Sequence, residues 1–196
     1  MAIRAINPRM VNRRQILALI SLAGLPRLAQ AAPMSSRVTA YAFTFKGLDG
    51  GEILLSAYAG HPILVVNTAS LCGYTPQYSG LQALWTRYSG RGLMIIGAPS
   101  NDFGGQEPGG VSDIHATAQG EYHVTFPLTE KIAVKGPDAH PFYRWAAQEH
   151  PMEAPRWNFH KYLIGRDGRL KAAFTSAVEP TDPKVVAAIE TELASE

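Results

Sequence analysis

Pro62-Ile63-Leu64-Val65-Val66-Asn67-Thr68-Ala69-Ser70-Leu71-Cys72-Gly73-Tyr74-Thr75-Pro76 opens with an almost unbroken apolar run and closes on a helix-start signal. An apolar run without alternation reads as a strand covered on both faces. Thr75 can cap a helix and Pro76 fits its first turn. Tyr78, Leu81, Leu84, Trp85 and Tyr88 then fall on one helical face until Gly90 ends it. Leu93-Met94-Ile95-Ile96-Gly97 is a second buried run, so strand, helix and strand form a parallel crossover unit.

Upstream, Val38 to Phe45 and Glu52 to Leu55, separated by Gly47-Leu48-Asp49-Gly50-Gly51, predict a β-hairpin. Downstream, the pattern predicts a short helix over Asp113 to Tyr122, a third strand at Thr125-Phe126-Pro127-Leu128 and a helix from His140 to Glu149. It continues with a hairpin of Asn158 to Ile164 and Leu170 to Phe174, and a last helix begun by Asp182-Pro183. The expected class is α/β, a central mixed β-sheet flanked by helices with an extra N-terminal hairpin.

The chain has 196 residues, a formal charge of +2 and one cysteine. Its 46% hydrophobic content suits one globular domain. Residues 1–31 hold Arg4, Arg9, Arg13, Arg14 and Arg27, and no acidic residue. The apolar run Ile16 to Leu25 spans only about 15 Å as a helix, roughly half a bilayer, so stable membrane insertion is not expected. Small residues at Ala29 and Ala31 complete the layout of a cleavable signal peptide, leaving 32–196 as a single domain. Asn12-Arg13-Arg14-Gln15-Ile16-Leu17 resembles the twin-arginine class, with Asn where Ser or Thr is usual; the general secretory route is the alternative. The expected location is periplasmic or secreted. With five of the eighteen basic residues in that leader and all sixteen acidic residues beyond it, the remainder carries −3. Nucleic-acid binding thereby loses its support, since no basic run interleaved with aromatics remains.

A single cysteine excludes an intramolecular disulfide, a Cys-x-x-Cys pair and a cysteine-ligated metal cluster. A lone Cys is commonly a small buried hydrophobe. Cys72, however, falls between the carboxyl end of a buried strand and a helix start, where open α/β sheets place their sites and where N–H groups favour an anion. Its thiolate is the expected nucleophile, and Gly73 would let another group approach. The six histidines show no metal-ligand spacing and no nucleophile elbow occurs, so no metal site and no serine hydrolase are expected. The glycines at 104, 105, 109 and 110 lack a following Gly-Lys-Ser/Thr and read as a tight turn presenting Gln106, not a phosphate loop.

Val66-Asn67-Thr68-Ala69-Ser70-Leu71-Cys72-Gly73-Tyr74-Thr75 resembles the active-site segment of the glutathione peroxidase family, with Cys72 where some members carry selenocysteine. Asn101 to Gly109 resembles the family's second motif and Trp157-Asn158-Phe159 its third, in the same order. Val124 to Leu128, Lys131-Ile132 and His140-Pro141 extend the likeness from about Val38 to the C-terminus. The resemblance implies a thioredoxin-like fold and a catalytic tetrad of Cys72, Gln106, Trp157 and Asn158. Side-chain amides and an indole N–H suit peroxide reduction, because they stabilise negative charge on sulfur and on the leaving oxygen without titrating.

The implied activity is thiol-dependent reduction of hydrogen peroxide and organic or lipid hydroperoxides through a Cys72 sulfenic acid, with no cofactor beyond an external thiol as co-substrate. Many non-mammalian members carry a second, resolving cysteine before the Phe-Pro segment; here Ala118 and Gln119 stand in that region, and Ser100 occupies another position where Cys is frequent. Resolution must then come from glutathione or a thioredoxin-like dithiol protein, or the sulfur risks over-oxidation. The competing reading is a peroxide sensor or stoichiometric scavenger without efficient turnover. The short segment between His140-Pro141 and Trp157-Asn158 lacks the long insertion of tetrameric members, which implies a monomer with an open site.

Overall fold

A computed structural model describes residues 38–194, which lie in one compact unit, Ser35–Glu196. The leader expected over 1–31 lies outside the described residues. Six strands and four α-helices follow in chain order: β1 Thr44–Lys46, β2 Glu52–Leu54, β3 Ile63–Thr68, α1 Gln77–Tyr88, β4 Met94–Pro99, α2 Val111–His115, α3 Pro141–Glu149, β5 Lys161–Ile164, β6 Leu170–Phe174 and α4 Pro183–Ala194. Strands β1 and β2 form a separate antiparallel hairpin; the main sheet has the order β4-β3-β5-β6. Within it β3 and β4 run parallel, whereas β5 runs antiparallel to both β3 and β6, a mixed sheet.

Every residue of β3 and β4 is buried, because alternate side chains feed two cores. Leu64, Val66 and Ile95 join Tyr78, Leu81, Leu84, Val185 and Ile189 of α1 and α4. Ile63, Val65 and Ile96 join Phe142, Trp145 and Ala146 of α3 and Phe45 of the hairpin. Burying the five apolar residues Ile63 to Val66 and Ile95 alone contributes roughly 1.5–3 kcal/mol each. Trp85, at the margin of its helix face, is partly buried and touches both cores.

Four expected elements differ. The first hairpin strand, expected over Val38 to Phe45, is confined to Thr44–Lys46, because Ala40–Ala42 form a 3-10 turn ahead of it. The third strand at 125–128 does not form: Gly97 and Leu128 make one isolated parallel bridge, with Gly97 N donating to Pro127 O at 3.0 Å and Thr129 N donating to Gly97 O at 2.9 Å. Pro127 has no N–H to extend a ladder. The chain instead steps from the β4 edge onto the hairpin, where Glu130 N donates to Lys46 O. The expected helix over 113–122 begins at Val111 and changes into a π-helical turn, Ala116–Glu121. The strand expected from Asn158 starts only at Lys161, because Phe159 takes a left-handed φ of 62° and makes the preceding segment a turn.

This topology gathers three loops. Parallel β3 and β4 end at one edge of the sheet, and antiparallel β5 begins there. Segments 69–76, 100–110 and 157–160 therefore meet in space.

Candidate active site

The first of these loops is closed by Thr75. Cys72 N donates to Thr75 Oγ1 at 3.1 Å, and the threonine hydroxyl lies 2.8 Å from Ala69 O and 2.7 Å from Cys72 O. Thr75 was expected to cap α1; no side chain caps that helix, whose flanking residue is Pro76, and the hydroxyl braces the cysteine loop instead. Cys72 is 6% exposed, and its Sγ accepts from the Tyr74 N–H at 3.4 Å. Such a donor stabilises negative charge on sulfur. A Cβ on Gly73 would meet nothing within 4 Å among the described residues, so the position is open to an approaching group.

The second loop presents Gln106 and Glu107. Gly104 and Gly105 take φ values of 69° and 64°, a turn that side chains rarely adopt. Leu71 N donates to Gln106 O at 3.0 Å, tying this loop to the cysteine loop. Glu107 is fully buried, and its Oε2 accepts from Ser70 N at 2.9 Å and Ser70 Oγ at 3.1 Å. Burial raises its carboxyl above the ordinary value; the two Ser70 bonds and Lys131 pull it back down. The Lys131 ammonium donates to Glu107 O and Gly109 O at 3.2 and 2.7 Å, bracing the loop from outside.

In the third loop, Asn67 Nδ2 donates to Trp157 O at 3.1 Å, and Phe159 N donates to Asn67 O. Asn158 is fully buried and donates through Nδ2 to Gln106 Oε1 at 2.9 Å and Phe103 O at 3.4 Å. This network orients the Gln106 amide: its oxygen is held by Asn158, leaving the NH2 end as the available donor. Trp157 is 39% exposed and packs on Phe103 with ring centroids 6.0 Å apart. Its indole N–H has no hydrogen-bond partner among the described residues.

Gln106 and Asn158 are thus in direct contact; the cysteine loop is tied to Gln106 through Leu71 N, and the Trp157 carbonyl is tied to β3 through the Asn67 amide. The Asn158 amide N–H is spent on Gln106 Oε1 and Phe103 O.

Further residues sustain the site without being singled out in the sequence reading. Lys161, fully buried, donates 2.7 Å bonds to Gln77 Oε1, Phe159 O and Val178 O, fastening the 157–160 turn to the start of α1. Burial lowers its ammonium to about 8. Glu107 and Lys161 are signalled only by being charged residues inside otherwise apolar or motif segments, where burial requires a partner.

Of the histidines, His115 pairs with Asp49, His150 with Glu153, and His140 caps α3 through Nδ1. Among the described residues no cluster of His, Cys, Asp and Glu is arranged to hold a metal, and no helix is long and apolar enough to cross a membrane.

The family model for glutathione peroxidase matches residues 40–147. A hydroperoxy fatty acid reductase of Synechocystis is 42% identical over 153 residues, covering 74% of this chain and 90% of that protein. The crystal structure of Trgpx in apo form aligns with a TM-score of 0.63 at 36% identity, over 79% of this chain and 97% of that one. A thiol:disulfide interchange protein of the thioredoxin family from Chlorobium tepidum aligns with a TM-score of 0.59 at 12% identity, over 78% of this chain and 93% of that one. That last likeness shows the fold alone, and the fold is thioredoxin-like.

Proposed function

The chain belongs to the glutathione peroxidase family, and on that premise we propose how its residues divide the work of reducing a peroxide. The protein is an oxidoreductase that reduces peroxides with electrons from thiols. The Cys72 thiolate attacks one peroxide oxygen; an S–O bond forms as the O–O bond breaks. Sulfur is oxidised to the sulfenic acid, and the other oxygen leaves as alkoxide or hydroxide and takes up a proton. The Tyr74 N–H supports the charge on sulfur. The Gln106 NH2 and the Trp157 indole N–H donate to the leaving oxygen, and Asn158 positions Gln106. The observation that carries this division is the Asn158 to Gln106 bond, which occupies the Gln106 oxygen and leaves its NH2 end as the donor; the Trp157 N–H likewise has no partner among the described residues.

A first external thiol then condenses with the sulfenic acid, forming a mixed disulfide and releasing water. A second thiol attacks that disulfide, restores Cys72 and leaves as the reductant's disulfide. With one cysteine in the chain, both thiols come from outside, as glutathione or a dithiol protein, and no other cofactor takes part. Substrates include hydrogen peroxide and bulkier organic or lipid hydroperoxides, a reading supported by the exposed apolar Leu71 next to Cys72 in the chain. The chain acts as a monomer exported to the periplasm or beyond, residues 1–31 serving as its signal; N-terminal sequencing of the exported form should begin near Ala32.

Steady-state turnover with hydrogen peroxide and a panel of thiols tests the reading. Wild-type protein should consume many equivalents, and Cys72→Ser none while keeping its fold and melting temperature. A single stoichiometric burst with every reductant would assign the chain to peroxide sensing instead, and unchanged turnover in Cys72→Ser would refute the mechanism.

A further inference from the structure

Lys161 opens β5 inside the sheet, where its backbone pairs with Val66 of β3 on one side and Phe174 of β6 on the other. Its side chain is fully buried, and the ammonium pairs with no carboxylate among the described residues. An ammonium has three donors and no acceptor. All three are spent at 2.7 Å, on Gln77 Oε1, Phe159 O and Val178 O. Acceptors from three separate segments thus fix one nitrogen in space: Gln77 begins α1, Val178 lies between β6 and α4, and Phe159 belongs to the turn that carries Trp157 and Asn158. Gln77 is itself anchored, its Nε2 donating to Ser176 O at 2.7 Å and to Glu179 Oε1 at 3.3 Å.

The Phe159 end of this knot is strained. Its φ of 62° lies where side chains rarely go, and such a conformation persists only where the surroundings over-determine it. Three ties do so here. The Phe159 N–H donates to Asn67 O, the ring packs edge-on against Tyr78 of α1 with centroids 5.3 Å apart, and the carbonyl accepts from Lys161. Asn158, the residue before, donates to Gln106 Oε1, and Trp157 stands one residue earlier. Both donors to the leaving oxygen therefore depend on this turn. The sulfur is braced separately: the bonds of Thr75 and Glu107 hold the cysteine loop, and none of them involves Lys161.

We propose that Lys161 is a positioning residue of the reaction: by clamping the Phe159 carbonyl it holds Trp157 and, through Asn158, Gln106 where charge develops on the leaving oxygen. This rests on the peroxidase reading above and adds to it a buried residue that acts through its neighbours. Its effect falls on the departing oxygen and not on the attack. With any peroxide the thiolate forms the S–O bond as the O–O bond breaks, and the sulfenic acid results; what differs is the anion released. Hydrogen peroxide releases hydroxide, the conjugate base of an acid of pKa about 15.7, and needs donors at that oxygen. Peracetic acid releases acetate, whose parent carboxyl ionises near ~4, and needs almost none.

The test compares these two oxidants on the same protein. Single-turnover oxidation of Cys72 is followed by rapid quench and mass spectrometry, and the ratio of the two rates cancels any change in thiolate fraction or in folded fraction. In Lys161→Met the rate with hydrogen peroxide should fall on the order of 100-fold, the cost of a ~1 Å misplacement, while the rate with peracetic acid stays close to wild type. Gln77→Met keeps the lysine and removes one of its three acceptors, so it should lower the same ratio by a smaller factor; it decides alone if Lys161→Met does not fold. Independently, the Trp157 indole N–H signal in NMR spectra, assigned through Trp157→Phe, should move or broaden in both variants. That of Trp145, which donates to Val38 O, should stay in place. Equal losses with both oxidants, or an unmoved Trp157 signal, overturn the proposal, because the lysine then serves stability alone. A wild-type Cys72 that neither oxidant attacks would strike the peroxidase reading alone, since the indole signals still decide the clamp.

Discussion

Replacing Glu107 separates the two things that side chain does. Its Oε2 accepts two bonds from Ser70, two residues before the catalytic sulfur, and the carboxylate is fully buried. Glu107→Ala leaves the Ser70 N–H and hydroxyl without an acceptor, at ~1–3 kcal/mol for each unsatisfied buried group, and opens a small void. A net loss of about 3 kcal/mol, at ~2–4 °C per kcal/mol for a domain of this size, lowers Tm by roughly 6–12 °C. Freed of that tie, the Ser70-Leu71-Cys72 segment shifts, and a displacement of ~1 Å costs on the order of 100-fold in rate.

Glu107→Gln behaves differently, because it keeps an acceptor oxygen and discards the charge. Burial outweighs the Ser70 bonds in the wild-type carboxyl, which is held above its ordinary value; the fold therefore tolerates the neutral form better than the charged one. The Gln variant should lie within about 1 kcal/mol of wild type. The pH dependence carries the sign. Between the ordinary value of 4.5 and the higher folded value, the folded chain holds a proton that the unfolded chain has released. Stability from this group is therefore complete below the ordinary value and is lost as pH rises through the folded one. Glu107→Gln lacks that slope, so its Tm relative to wild type should improve as pH is raised from acid toward neutrality. Thermal unfolding by calorimetry across that range, with kcat/KM for hydrogen peroxide at each pH, measures both effects. A Gln variant as damaged as the Ala variant at every pH would refute the reasoning, since charge and not the acceptor would then hold the loop.

Lys161→Met should abolish a stability gradient of opposite sign: the folded ammonium titrates near about 8 against an ordinary 10.5, so the unfolded chain binds more protons between those values and wild-type stability from this group rises with pH across them. Parallel Tm profiles of wild type and variant over that window would disprove the coupling. Gly104→Ala and Gly105→Ala should lose similar stability, ~1–2 kcal/mol for a side chain in the left-handed region. Only the first places a methyl 3.3 Å from Trp157 Cη2 and 3.5 Å from Gln106 Cγ. Peroxide kinetics should therefore show the greater loss in Gly104→Ala, and equal rates would mean that the turn does not shape the site.

The β3-α1-β4 unit was readable from residues 62–97 because its apolar spacing reports burial directly, and its apolar side chains lie in or against the two cores. Thr125 to Leu128 misled for the opposite reason: these four residues of strand-like composition make a single bridge, to Gly97, with Leu128 O accepting from Leu48 N besides, and Pro127 lacks the N–H a ladder needs. Phe159 misled as well, since no local signal marks an aromatic residue for a left-handed φ that exists to turn Asn158 toward Gln106. What tertiary structure alone supplies is contact over long separations. Ser70 meets Glu107 across 37 residues, Gln106 meets Asn158 across 52 and Asn67 meets Trp157 across 90. Those separations follow from topology: two parallel strands ending and one antiparallel strand beginning at the same sheet edge oblige three distant motifs to meet. The same geometry gives the single cysteine its consequence. Cys72 is 6% exposed and is preceded in the chain by Leu71 at 67%, so peroxide and reductant reach one nearly buried sulfur. They must do so in turn, because no second thiol waits within the chain.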